Sequence, residues 1–526
     1  MNIFLLLSCL IATAVANDSS RSHRDLLNPR KGVGLTVAAG MEVEISQKLL
    51  DYGAGIINEL IATELSKVAI PEISGEKDGF NYDVSNCQLS ASISSPSAAF
   101  VAGSGLSIDL AGVNLDAKCD WSYKLHSWPH VPDGSGSLDA TAGGNTAVSA
   151  SIAATVQGGK VVLSVTQSNV DIDDFDVSIH GSILSWLYDL IIDAFKGDIK
   201  SDIASAAKSA ITNVIETTLN QELASVDLLL DIPFPAPFNI GEIDFTIVDI
   251  ETAADSIAVG TRSSVNNTAS PTTDPYPVAA TPLEPTDPAT RDASMVTLSV
   301  SDWPINNGFW VFSEAELLQY LIAASSVPAS FPIQLNTDSF NEVAPALDKA
   351  YPDTTMELLL AIPKGFTEVA KIVDGVGINV TDLPLQFNFS VFPNNGTNST
   401  AAFSLQCPAT ASTTASVNAS GGASQVIYLE ITELACTPLT VISSEFGNIT
   451  TDGLDMLISG LLTSVVLPEL NKFIGNGFAL PSIDGVSLTS SAITPVNGTL
   501  KISSDISWDP SSFMARHQKL ASHKGK

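Results

Sequence analysis

Residues 182–226 read SILSWLYDLIIDAFKGDIKSDIASAAKSAITNVIETTLNQELASV, with apolar side chains at Leu187, Ile191, Phe195, Ile199, Ile203, Ile211, Ile215, Leu219 and Leu223. Steps of four overshoot one helical turn, so the apolar stripe winds slowly around a long helix. Such a helix needs a curved partner, and a strongly twisted sheet supplies one. Gly197 is the expected bend, and Pro233, Pro235 and Pro237 bar continuation.

The sequence around this stretch supplies the sheet. Upstream, residues 43–68 hold Leu49, Tyr52, Ile56, Ile57 and Leu60 at helical spacing. Alternating segments such as Leu106-Ser107-Ile108-Asp109-Leu110 and Val161-Val162-Leu163-Ser164-Val165 follow, broken by Gly, Ser, Asn and Pro, and read as a strand meander. The same order recurs downstream. Ser313 and Glu316 fit a capping box, predicting a helix over 313–323. Strand-like sequence comes next, then an apolar helix over 452–474 with Leu454, Leu457, Ile458, Leu461, Leu462 and Val465. Each half places two cysteines between its helices, Cys87 with Cys119 and Cys407 with Cys436. Pairing within each half is expected from a duplication, although four cysteines allow three connectivities.

Composition sets further bounds. A chain of 526 residues exceeds what one core organises, which favours two domains. Residues 261–294, with Pro271, Pro275, Pro277, Pro282, Pro285 and Pro288, read as an extended, solvated linker between domains at 32–260 and 295–509. Residues 1–16 read as a secretory signal peptide, with an apolar stretch and Ala14-Val15-Ala16 before Asn17. Its removal takes Cys9 and leaves an even number of cysteines, which suits a secreted, extracellular protein. The net charge is −33; residues 17–31 carry +2 and the basic tail 510–526 carries +4, leaving the body at −39. That body repels polyanions, so nucleic acid is excluded as a partner.

Several stretches resemble the family of bactericidal permeability-increasing protein, lipopolysaccharide-binding protein and the plasma lipid-transfer proteins. They are Ile45-Ser46-Gln47-Lys48-Leu49-Leu50-Asp51-Tyr52 with Ile70-Pro71-Glu72-Ile73-Ser74-Gly75, and Leu467-Pro468-Glu469-Leu470-Asn471 with Gly477-Phe478-Ala479-Leu480-Pro481. Asp120-Trp121-Ser122-Tyr123 and Ser185-Trp186-Leu187-Tyr188 look closest to plant members. The resemblance implies an α+β boomerang: two tandem barrels, each a twisted antiparallel sheet wrapped on a long helix, joined by a central sheet. It also implies an apolar pocket in each barrel for the acyl chains of a phospholipid or other amphipathic lipid. Leu49, Tyr52, Ile56, Leu60, Leu187, Ile191, Phe195 and Ile199 are the candidate lipid contacts, and the same residues suit plain core packing.

At the tip of the first barrel, basic family members carry a run of Lys and Arg. Here the matching stretch is Lys124-Leu125-His126-Ser127-Trp128-Pro129-His130, with Lys124 its one permanent cation. Strong affinity for lipopolysaccharide phosphates is therefore not expected. Lys124, His126, Trp128 and His130 instead form a candidate tip for transient membrane contact, with Trp128 as an interfacial ring.

Catalytic and metal signals are weak. No Gly-x-Ser-x-Gly elbow or His-Glu-x-x-His pair occurs. Pro129 spoils His126 and His130 as a helical metal pair. Asp171, Asp173, Asp174 and Asp176 mimic a calcium loop but lack its glycine and its closing glutamate. No enzyme, cofactor or metal is expected. Sequons begin at Asn17, Asn266, Asn379, Asn388, Asn395, Asn398, Asn418, Asn448 and Asn497, and their clustering predicts a glycoprotein. The leading expectation is lipid binding and transfer, with recognition of microbial lipid as a variant. The alternative is a secreted structural or adhesive glycoprotein whose pockets are filled by side chains.

Overall fold

The computed structural model describes residues 39–508, apart from 54–65, 67–68, 78, 126–132, 182–184, 233–240, 269–275, 282, 284–285, 332, 394–397, 418–425, 452, 476–477, 480–485 and 497. Both halves build one central sheet. The first half supplies β1 (Met41–Ser46), β11 (Ile247–Thr252) and β12 (Ser256–Thr261). The second supplies β14 (Val296–Ser301), β23 (Val486–Val496) and β24 (Thr499–Trp508). Their order is β11-β12-β1-β14-β24-β23, so the halves join at the antiparallel β1–β14 pair, with Glu44 opposite Thr297. Val43 and Ile45 alternate with Glu42, Glu44 and Ser46 along β1, which gives the sheet one apolar and one polar face.

The first barrel is a curled sheet of β2 (Ile73–Lys77), β3 (Phe80–Val101), β4 (Gly105–Leu125), β5 (Gly134–Ala142), β6 (Ala147–Gln157), β7 (Lys160–Asp171) and β8 (Asp176–His180). The curl arises in β4, which pairs with β6 over 105–111 and with β5 over 115–123. At the change of partner Gly112 takes φ +64°, and a Cβ there would meet Ser94 Oγ at 2.1 Å. The inward row shifts phase at the same point, from Leu106, Ile108 and Leu110 to Val113, Leu115, Ala117, Cys119 and Trp121. The first long helix runs as Ser185–Lys196 and Asp198–Asn213, a π turn at Val214–Leu219, then Asn220–Ser225. The expected break at Gly197 is present, yet Gly197 N still donates to Asp193 O at 2.9 Å.

The second barrel contains β15 (Gln319–Ala323), β16 (Met356–Ala361), β17 (Ala370–Val373), β18 (Gly377–Val391), β19 (Thr400–Val417), β20 (Val426–Cys436), β21 (Thr440–Ser444) and β22 (Phe478–Ala479). Its long helix is Leu454–Leu461, a π turn at Leu462–Val466, and Leu467–Ile474. The π turn precedes Pro468, whose ring would otherwise strike the preceding turn. Cys87 is bonded to Cys119 and Cys407 to Cys436, within the halves as a duplication requires.

Each barrel closes a free strand edge with an asparagine on its helix. Asn220 accepts from Leu163 N at 2.9 Å and donates to Leu163 O at 2.8 Å on β7. Asn471 accepts from Ile431 N at 2.8 Å and donates to Ile431 O at 2.9 Å on β20. One side-chain amide thereby mimics a ladder step and satisfies backbone groups that no strand reaches.

Two sequence expectations need correction. The helix expected over 313–323 is instead Asp302–Glu314, and 319–323 is strand β15. Ser301 caps the helix by accepting from Trp303 N. Glu316 then ends it at φ +57°, with Glu316 N donating to Ser313 O and Leu317 N to Phe312 O, a Schellman closure. A glutamate in place of the usual glycine disguises that stop as a start.

The Pro-rich stretch 261–294 is a strap packed on the body where it is described. It includes β13 (Ser264–Asn267), which lies with β9 (Leu229–Asp231) and β10 (Gly241–Asp244) in a small sheet. Tyr276 packs 5.8 Å from the rings of both Trp303 and Trp310, and Arg291 is buried. Proline prevents ladders but not packing, and the polar face of the central sheet requires partners. Arg291 supplies Glu44 and Ser256, and Thr286 receives Lys501. The helix Asp302–Glu314 braces the halves from the other side. Its Asn306 pairs with both backbone groups of Ala370, and Asn307 accepts from Val265 N at 2.5 Å.

Glu42 lies on the polar face of this seam. Burial, then repulsion from Glu44, Glu251 and Asp249, push its carboxyl up to about 7 against the pull of Lys501. The folded chain therefore holds this proton more tightly than the unfolded chain. The resulting stability is complete below about pH 4.5 and is lost as pH rises through about 7. Glu42→Gln should flatten the fall in melting temperature between pH 5.5 and 8, removing a dependence of at most about 2 kcal/mol. An unchanged pH profile in that variant would refute the assignment.

Candidate lipid-binding site

In the first barrel the long helix presents two neighbouring apolar faces. Leu187 and Ile191 are fully enclosed and Ile199 is 1% exposed; Leu49, also enclosed, sits on the opening helix at 47–53, where Gln47 Nε2 donates to Ala98 O at the end of β3 away from Phe80 and Trp186. Trp186, Leu190 and Ala194, one residue back on the spiral, are half-buried. Tyr52 is also half-buried. Among the expected contacts, Ile56, Leu60 and the side chain of Phe195 lie outside the described residues. A lipid chain reaches Leu187 or Ile191 only by parting helix from sheet. The Trp186–Leu190–Ala194 face is partly exposed without such a movement.

That face continues into a line of aromatic rings. Trp186 lies 5.6 Å from Phe80 and 6.2 Å from Tyr82, Phe80 lies 5.8 Å from Tyr123, and Tyr123 stacks on Trp121 at 6.0 Å. Two motifs more than sixty positions apart, Asp120–Tyr123 and Ser185–Tyr188, thus meet in one cluster. Gly134 and Gly136 stand opposite Tyr123 and Trp121, where a Cβ would strike the rings. Trp121 is buried without loss because Nε1 donates to Ser137 O and His180 O. Sequence reasoning missed Phe80, Tyr82 and Leu190. The available signals were the Phe80/Tyr82 alternation and the four-residue step from Trp186 to Leu190.

The second barrel is filled differently. Phe389 stacks on Phe403 at 4.5 Å and meets Phe340 at 5.3 Å, and all three are buried. Among the described residues the buried charged side chains are Glu44, Asp244, Arg291 and Lys501. They belong to the central sheet, the small sheet and the strap, and none stands between a long helix and its barrel.

At the tip, Lys124 is exposed at the end of β4, while His126, Trp128 and His130 lie outside the described residues. The aspartates near 171–176 serve a turn. Asp174 pairs with Lys200 at 2.9 Å, which holds its carboxyl below the usual range, and Asp173 accepts from Asn145 N. No group of three metal-binding side chains occurs among the described residues.

Comparison with known proteins places these features in a lineage. The LBP / BPI / CETP family, N-terminal domain, matches residues 49–223, and the corresponding C-terminal domain matches residues 240–508. The chain is 23% identical to the bactericidal permeability-increasing protein of Sebastes schlegelii, over 90% of this chain and 96% of that one. It is 25% identical to the lipopolysaccharide-binding protein of Mus musculus, over 61% of this chain and 66% of that one. A BPI/LBP family protein of Arabidopsis thaliana is 20% identical, over 89% of this chain and 93% of that one. The crystal structure of lipopolysaccharide binding protein superposes with a TM-score of 0.57 at 19% identity, covering 90% of this chain and all of that one, and so shares its fold. With both halves matched in order and the two barrels built around their helices, this chain belongs to the LBP / BPI / CETP family.

Proposed function

We propose that this chain is a secreted lipid-binding and lipid-transfer protein that holds phospholipid acyl chains in its barrels and carries out no covalent chemistry. The observation carrying this reading is the half-buried apolar band Trp186–Leu190–Ala194 beside Phe80 and Tyr82, in a barrel whose interior, among the described residues, buries no charged side chain. Leu187, Ile191 and Ile199 form the enclosed stripe next to that band on the same helix. Transfer to a dry interior gains about 0.8 kcal/mol per methylene, or roughly 12 kcal/mol for a tail of about 16 carbons. A bilayer gives the same tail nearly the same gain. Extraction is then close to neutral, and the protein's contribution is a water-free route between membranes.

The names of its relatives support microbial lipid as one ligand. With Lys124 the one permanent cation in the tip stretch, recognition rests on acyl chains more than on phosphate charge. The alternative of filled pockets gains support in the second barrel, where Phe340, Phe389 and Phe403 occupy the interior. Lipid should therefore reside mainly in the first.

Transfer of a fluorescent phospholipid between donor and acceptor vesicles tests the reading. Trp128→Ala should weaken vesicle binding roughly three- to tenfold, equivalent to about 1 kcal/mol, and leave lipid already in the barrel unchanged. Binding to anionic vesicles should rise from pH 7.5 to 5.5, across the ordinary imidazole value of about 6.5. Changing His126 and His130 to Gln should abolish that rise. Undiminished vesicle binding by Trp128→Ala would remove the Lys124–His130 stretch as the contact surface.

A further inference from the structure

Two exposed sequons stand together at the distal end of the second barrel. Asn398, in Asn398-Ser399-Thr400, belongs to the β18–β19 connection, and Asn448, in Asn448-Ile449-Thr450, follows β21; both are exposed. The register brings them to one end of the sheet. Val391 pairs with Thr400 where the hairpin closes, Ser444 pairs with Phe403, and Glu445 N donates to Ala402 O at 3.0 Å.

Two other sequons of this barrel lie inside its sheet. Asn379 sits on β18 between Lys371 of β17 and Ser412 of β19, with its amide oxygen sealed from solvent and without a hydrogen-bond partner among the described residues. Asn388 sits between β16 and β19, where its Oδ1 accepts from Ser404 Oγ at 2.7 Å. A glycan on Asn388 would have to give up the Ser404 hydrogen bond and one on Asn379 would have to free a buried amide, whereas Asn398 and Asn448 are already exposed.

The same end carries an apolar liability. Val441 and Ile442 of β21 are 40% and 49% exposed, on a strand paired through β19. An exposed apolar edge invites strand addition and adhesion to lipid. We infer that Asn398 and Asn448 carry N-linked glycans, which cap the distal end of the second barrel and hold it away from lipid surfaces. Hydroxyl-rich sugar enters the hydrocarbon region of a bilayer only by giving up hydrogen bonds to water, so a glycan keeps the apolar edge beneath it from inserting. The capped end is thus barred, and the Lys124–His130 stretch that follows β4 in the first barrel is left to meet a membrane. The inference rests on the secretory reading, because these acceptors are modified in that compartment.

The test uses full-length protein secreted from a eukaryotic host. Glycans are removed enzymatically in heavy-oxygen water, and each sequon peptide is scored by mass spectrometry. Most molecules should be tagged at Asn398 and Asn448, and few or none at Asn379 and Asn388. Empty Asn398 and Asn448 beside occupied sequons elsewhere would overturn the inference and leave secretion standing. No tag at any sequon would overturn it together with the secretory reading. Hydrogen exchange with phosphatidylcholine–phosphatidylserine vesicles then tests the cap. Peptides covering 441–450 should exchange equally with and without vesicles, and vesicle-induced protection of the glycosylated form would contradict the capping role.

Discussion

Replacing Arg291 with alanine should lower folding stability by about 3–5 kcal/mol, read as a shift of the urea midpoint. The Arg291 and Glu44 side chains are 6% and 5% exposed, Arg291 Nη1 lies 3.4 Å from Glu44 Oε1, and Glu44 Oε2 has no hydrogen-bond partner among the described residues. Arg291 also reaches Asp255, Asp292 and Ser256. Its loss leaves a buried carboxylate without a counter-charge, beside Glu42, on the strand that joins the halves. The cost lies in the abandoned partner more than in the bond. Glu44→Gln in the Arg291→Ala background should therefore recover part of the loss. A single-variant loss under about 1 kcal/mol, or no recovery in the double variant, would show that the strap does not brace the seam.

The second large effect separates core from lipid contact within one helix. Ile191→Gln puts an amide into a fully enclosed site and should cost roughly 3–5 kcal/mol, combining lost burial with an unpaired polar group. Leu190→Gln, on the half-buried face beside it, should cost less than about 1.5 kcal/mol while lowering the lipid recovered with the folded protein. If Leu190→Gln holds as much lipid as the parent, the Trp186–Leu190–Ala194 band is not the binding surface.

Much of the architecture was legible in the sequence because it rests on periodicity. The winding stripe from Leu187 to Leu223 announced a helix wrapped by a curled sheet, and Gly197 announced its break. The matched cysteine spacing, reinforced by the family resemblance, announced two halves, and the cysteines pair within them. What stayed hidden was specified by tertiary partners. Nothing local marks Asn220 or Asn471 as substitutes for a missing strand, since their role depends on an edge some forty to sixty positions away. Glu316 conceals a helix stop because glutamate seldom takes a left-handed conformation. The strap looked solvated because its composition records an inability to form ladders, while burial of Arg291 is set by Glu44 on a distant strand. In the candidate site, the enclosed stripe was legible and its half-buried neighbour was not. A single hydrophobic periodicity reports that both faces are apolar, and only the packed sheet shows which one remains accessible.

The most direct test of the account is organic extraction of the purified, folded protein followed by mass spectrometry and phosphate quantitation. The account predicts phospholipid or a related two-chain amphiphile at about one molecule per chain or more, reduced in Leu190→Gln and unchanged in Trp128→Ala. Protein that is lipid-free after purification, and that takes up none from phosphatidylcholine vesicles, would contradict it and favour a structural glycoprotein with filled barrels.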